Sequence, residues 1–96
     1  MSKLYLVTYV LKDSSEAAAF EEELKTASKW WHFIENTWIV QTDDSTANKI
    51  WGRLSKAYSF GAGDRLLVIE ILPTASRQGW LPKRAWEWLK ARGSED

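Results

Sequence analysis

Hydrophobic positions along the chain repeat with two different periods, and the switches between them mark its elements. Residues 3–11, KLYLVTYVL, are rich in β-branched and aromatic side chains and predict a strand. Asp13, Ser14 and Ser15 follow as N-cap candidates. Ala17, Phe20, Leu24 and Ala27 then recur at spacings of three, four and three, one stripe of a helix. Glu16, Glu21, Glu22 and Glu23 fall largely off that stripe and read as a solvated acidic face. Residues 29–34 and 37–41 are two short β-rich runs separated by Glu35-Asn36. Asn tolerates left-handed backbone angles, so a tight hairpin is predicted there. Thr42 or Asp43 is the candidate cap of a second helix, whose stripe is Ala47, Ile50, Leu54 and Ala57. Gly61-Ala62-Gly63 breaks the pattern, residues 65–72 (RLLVIEIL) predict a last strand, and residues 73–79 a connector. Pro82 suits the first turn of a helix, where its missing N–H costs nothing. Residues 83–91 then predict a short amphipathic helix carrying Trp86, Trp88 and Leu89.

The order β-α-β-β-α-β is the split βαβ pattern. It predicts an α+β, ferredoxin-like sandwich: a four-stranded antiparallel sheet, both helices on one face, and an extra C-terminal helix. Ninety-six residues suit one domain, here 1–92, with 93–96 a frayed, disordered tail. The strands carry a further message. Leu4, Leu6, Thr8 and Val10 point one way, and Tyr5, Val7, Tyr9 and Leu11 the other. Likewise Leu66, Val68 and Leu72 oppose Leu67, Ile69 and Ile71. A sheet with one wet face alternates apolar and polar residues; this one is apolar on both. Two helices cover a single face. The other needs the C-terminal helix, a second copy of the chain, or both, and a homodimer is the commonest solution. Glu70 breaks the apolar pattern and is expected to pair with an Arg or Lys.

Composition narrows the chemistry. Thirteen Lys and Arg balance thirteen Asp and Glu, whereas a domain that grips long duplex nucleic acid shows a basic excess. No Cys is present and His32 is the only histidine. Disulfides, thiolate zinc sites and His-cluster metal sites are therefore excluded. His32 sits between Trp31 and Phe33 in a predicted strand and reads as a packed, hydrogen-bonded histidine rather than a general base. There is no secretory h-region and no apolar run of the ~18 residues a spanning helix needs, so a cytoplasmic protein without membrane contact is expected. Seven tryptophans stand out: 30, 31, 38, 51, 80, 86 and 88. Such rings are ordinarily packed in a core or an oligomer interface, or stacked on a ligand.

Several of these Trp-rich segments resemble a known group. Trp30-Trp31-His32-Phe33 with Thr37-Trp38-Ile39-Val40, the run Leu66-Leu67-Val68-Ile69-Glu70, and Gly79-Trp80-Leu81 followed by Trp86-Glu87-Trp88-Leu89 are similar to small bacterial and phage proteins called SinR-like. These in turn resemble the second CRISPR-associated (Cas) protein family and the VapD-type toxins. The resemblance spans nearly the whole chain and implies a ferredoxin-like dimer joined through its sheet faces. In the CRISPR-associated family, strand one ends in an Asp that follows an aromatic residue, the proposed metal ligand of a nuclease. Here the corresponding run is Thr8-Tyr9-Val10-Leu11, with Val10 in the acid's place. A Mg²⁺ site needs oxygen ligands, and Val supplies none. No metal site, no cofactor and no enzymatic activity are expected.

Three local features remain. Lys49, Arg53 and Lys56 share one face of the second helix, as a solvated face or as phosphate contacts. Gly79-Trp80-Leu81-Pro82-Lys83-Arg84 places an aromatic ring and two cations around a helix start. Helix N-termini favour anions, and aromatic rings stack bases. Gly61-Ala62-Gly63-Asp64 is a G-x-G, but it runs from helix to strand, the reverse of a phosphate loop. Trp80, Lys83 and Arg84, with Arg53 as a contributor, form the candidate ligand site. The reading is a non-catalytic homo-oligomeric binding protein for a small nucleotide or cyclic oligonucleotide, one form being a phage protein that sequesters a bacterial immune signal. A nucleic-acid-binding or nuclease protein and a plain protein-interaction module are the alternatives.

Overall fold

Asp13 opens the first helix as its side chain accepts from the Ser15 backbone N–H at 2.9 Å. That cap ends β1 (Ser2–Val10) and starts α1 (Ser14–Leu24). The hairpin follows from Asn36, whose φ of 63° is a left-handed angle Asn accepts readily; it joins β2 (Lys29–Ile34) to β3 (Thr37–Asp43). Next come α2 (Ala47–Ala57), β4 (Arg65–Ile71) and α3 (Lys83–Lys90). The computed structural model describes residues 2–43 and 46–92, so the tail expected at 93–96 lies outside the described residues. One cap differs from expectation. Thr46, not Thr42 or Asp43, caps α2 by accepting from the Lys49 N–H at 3.1 Å. The reason is pairing: the β1–β3 ladder runs out to Ser2 opposite Asp43, so Thr42 and Asp43 stay in the strand.

The four strands form one antiparallel sheet in the order β2-β3-β1-β4. A four-stranded antiparallel sheet with three helices makes a small α+β domain, compatible with a ferredoxin-like fold. Both sheet faces carry a core, as the strand pattern predicts. On one face Tyr5, Val7, Tyr9, Trp38 and Val40 meet Phe20 and Leu24 of α1 and Ile50 and Leu54 of α2. Phe20 and Tyr9 pack ring to ring with centroids 4.6 Å apart. The buried Trp38 indole satisfies its N–H by donating to the Tyr9 hydroxyl at 2.9 Å. Burial pushes the Tyr9 phenol up to about 12, so it stays protonated and able to donate.

On the opposite face Leu4, Trp31 and Ile39 meet Ala85 and Leu89 of α3, with Leu81, Trp86 and Trp88 packed around them. The Trp31 indole donates to the Ala85 carbonyl at 3.2 Å, which ties the helix to β2. This cover is partial. Val10, Leu67 and Ile69 are 47%, 53% and 48% exposed. They project from the same side of β1 and β4 as the residues beneath α3. Two smaller expectations are corrected. His32 packs one ring face on Trp38, ring centroids 4.0 Å apart and 13° from parallel, but it is exposed and makes no hydrogen bond among the described residues. Glu70 is exposed and makes no ion pair among the described residues.

Candidate functional site

The segment between β4 and α3 crosses the second face as an irregular chain. It is held by its own arginine: Arg77 donates from Nη1 to the Pro73 carbonyl at 3.0 Å. Trp86 reaches back from α3 to lie against Gly79. Trp80 then turns outward and is 99% exposed. Pro82 is the N-cap of α3, and no side chain caps the helix start. Lys83 and Arg84 occupy the first turn. Lys83 lies 3.9 Å from Glu87 in an exposed pair, and the Arg84 guanidinium sits over the Phe33 ring, 5.6 Å from its centroid. Trp80 thus precedes the helix whose first turn carries Lys83 and Arg84.

Arg53 does not join them. It belongs to α2, in the helical layer on the other side of the sheet, where it lies 3.6 Å from Glu23 of α1. Lys49 and Lys56 on the same helix are exposed. The spacing alone carried no information about which sheet face α2 would take.

The G-x-G segment is a turn wired from within. The Asp64 carboxylate accepts from the Lys12 N–H at 2.7 Å, the Gly61 N–H at 2.8 Å and the Tyr58 hydroxyl at 2.9 Å. Gly63 takes the left-handed φ of 91° that the turn needs. The backbone hydrogen bond from Lys12, then that from Gly61, holds the Asp64 carboxyl below its ordinary range. Asp13 is lowered too, first by the Ser15 hydroxyl and then by the Ser15 N–H. Both acids near the end of β1 are therefore engaged in joining loops, while Val10 stands exposed on the second face.

Sequence reasoning missed Arg77. Its Nε and Nη2 are buried without a hydrogen-bond partner. In the sequence it is one cation in a polar connector, with nothing to distinguish it from a surface arginine. It lines an apolar cavity of about 260 Å³ between the sheet, the connector and α3.

No family model matches the chain, and no curated protein matches it. Among solved structures it is similar to the crystal structure of a hypothetical protein, TT1823, from Thermus thermophilus. The TM-score is 0.64 at 16% identity, over 85% of this chain and 96% of the other. That likeness speaks to the fold alone.

Proposed function

We propose that this chain is a non-catalytic, homo-oligomeric binding protein for a small nucleotide or cyclic oligonucleotide, built on a ferredoxin-like β-α-β-β-α-β sandwich with an added C-terminal helix. The observation that carries the reading is Trp80, a large ring 99% exposed just ahead of the helix start that bears Lys83 and Arg84. Trp in water forgoes the burial that normally justifies it. A base stacked on it would recover about 1–3 kcal/mol. Lys83 and Arg84 stand at the positive end of the α3 dipole, with no acid in that first turn. The Glu87 contact of Lys83 and the Phe33 contact of Arg84 offset this placement only in part, and a phosphate would relieve it further. The SinR-like resemblance, a cytoplasmic setting and a phage origin with sequestration of an immune signal are parts of the same proposal. Self-association rests on Val10, Leu67 and Ile69, an apolar strip that a second copy would cover. The same strip is the observation favouring the second reading, a plain interaction module that binds no nucleotide.

Thermal shift and calorimetry with cyclic dinucleotides, mononucleotides and short RNA separate the two, since a ligand of the native state raises the melting temperature. Trp80→Ala is expected to abolish the shift while altering intrinsic stability by no more than about 0.5 kcal/mol, as suits an exposed site. Lys83→Ala with Arg84→Ala is expected to weaken binding and lower its salt dependence. A wild-type protein indifferent to every nucleotide selects the interaction module.

A further inference from the structure

The interior of the second layer holds a different feature, away from Trp80. The apolar cavity of about 260 Å³ is walled by Leu4, Ile39, Ile71, Leu81 and Trp86. A second cleft of about 500 Å³ shares Ser76, Arg77, Gln78 and Trp86 with it and adds Lys90. Arg77 thus stands where an apolar chamber meets a polar mouth. Among the described residues no Asp or Glu lines either space. Among the described residues Arg77 has no ion pair. Its Nη1 is spent on the connector's own carbonyls, while Nε and Nη2 are buried and unpartnered.

Arg77 as a whole is half-buried, but a guanidinium edge sealed from water without a partner is costly, and native structures rarely leave one so. The guanidinium edge formed by Nε and Nη2 matches the two oxygens of a carboxylate or phosphate. An apolar cavity of about 150 Å³ already takes a benzene ring, so this chamber has room for a ring with a short substituent. We infer that the chamber beneath the connector and α3 binds a small amphipathic anion, with its apolar body against Trp86 and Leu81 and its carboxylate or phosphate on Arg77. Lys90 adds positive charge at the mouth. The site is independent of the nucleotide reading, because Trp80 lines neither space.

The test uses the full chain and three probes: 3-indolepropionate, its neutral amide, and phenyl phosphate. Heteronuclear NMR follows the tryptophan indole N–H signals. The carboxylate or the phosphate probe is expected to saturate and to shift Trp86 and Trp31 while Trp80 stays in place. Tighter binding of one of the two probes assigns the anion's chemistry. The amide is expected to bind about tenfold more weakly or worse, and Arg77→Gln to weaken the anions by a similar factor. Arg77→Met, which removes the charge, is expected to melt no lower than wild type without ligand and to lose its preference for the two anionic probes over the amide. Equal binding of the amide, movement of Trp80 instead of Trp86, undiminished binding by Arg77→Gln, or no saturable shift with either anion on the wild-type protein overturns the inference.

Discussion

On the face under α1 and α2, the ten core residues buried among the described residues include Trp38, Tyr5, Tyr58 and Phe20, each almost fully enclosed. Under α3 the corresponding buried set is Leu4, Trp31, Ile39, Ala85 and Leu89. Both layers rest on the same sheet, yet the first has the larger buried core while the second contains a chamber, an unpaired arginine and an exposed strip. The difference lies in how the covering elements are tethered. Each of α1 and α2 is joined at both ends to strands of the sheet, so its position is fixed by two connections. α3 has eight residues, reaches the sheet through the irregular residues 72–82, and lacks a side-chain cap. A helix that short is marginal by itself and holds its place through Trp31, Ala85 and Leu89. Where the irregular connector replaces a helix, side chains no longer interdigitate closely enough to exclude a cavity.

The largest effect is expected in the first layer. Trp38→Ala removes a fully buried ring and the donor to Tyr9, and is expected to cost about 3–5 kcal/mol in denaturant unfolding. Leu89→Ala in the other layer is expected to cost about 2 kcal/mol, at the low end for such changes, because it borders existing empty space. Hydrogen exchange on that variant is expected to release the α3 amides well before those of β1 and β3. An equal cost for both changes, with α3 protected as strongly as the sheet, would erase the distinction between the layers.

A smaller effect is expected at the turn that braces the first layer. The folded Asp64 carboxyl titrates below the ordinary value of 3.8. As the pH falls, the unfolded chain therefore takes up that proton first. The stabilisation is complete above the unfolded value and disappears as the pH drops through the folded one. Asp64→Asn is expected to flatten the acid limb of stability below about pH 5 and leave its shape unchanged above. A mutant curve that parallels wild type down to the acid transition would remove Asp64 from this role.

The least change in intrinsic stability is expected on the open strip. Leu67→Lys with Ile69→Lys alters two exposed side chains, so the fold is expected to stay within about 0.5 kcal/mol per site. Light scattering at low micromolar concentration is expected to show a dimer for wild type and a monomer for the variant. A wild-type monomer under those conditions means that α3 suffices as the cover, and the two layers then differ only in packing quality.

Much of this molecule was legible in local pattern. The stripes naming Phe20 and Leu24, and Ile50 and Leu54, put those residues in the core. The hairpin at Asn36 and the two apolar faces of β1 and β4 were readable for the same reason: helix and strand periods of 3.6 and 2 are properties of neighbouring residues. The fate of each tryptophan was not. Trp30 and Trp31 are adjacent in sequence, yet one is 41% and the other 3% exposed, because they point to opposite sheet faces and α3 packs over the second.

What the sequence by itself determined is therefore the succession of elements, the tight turn, and the fact that two sheet faces require cover. Only the tertiary structure decided that Arg53 belongs to the opposite side of the sheet from Trp80, that Thr46 takes the cap of α2, and that Arg77 is enclosed beside a cavity. Each of those outcomes depends on which distant segment packs over a residue, and burial by a distant segment leaves no periodic trace along the chain.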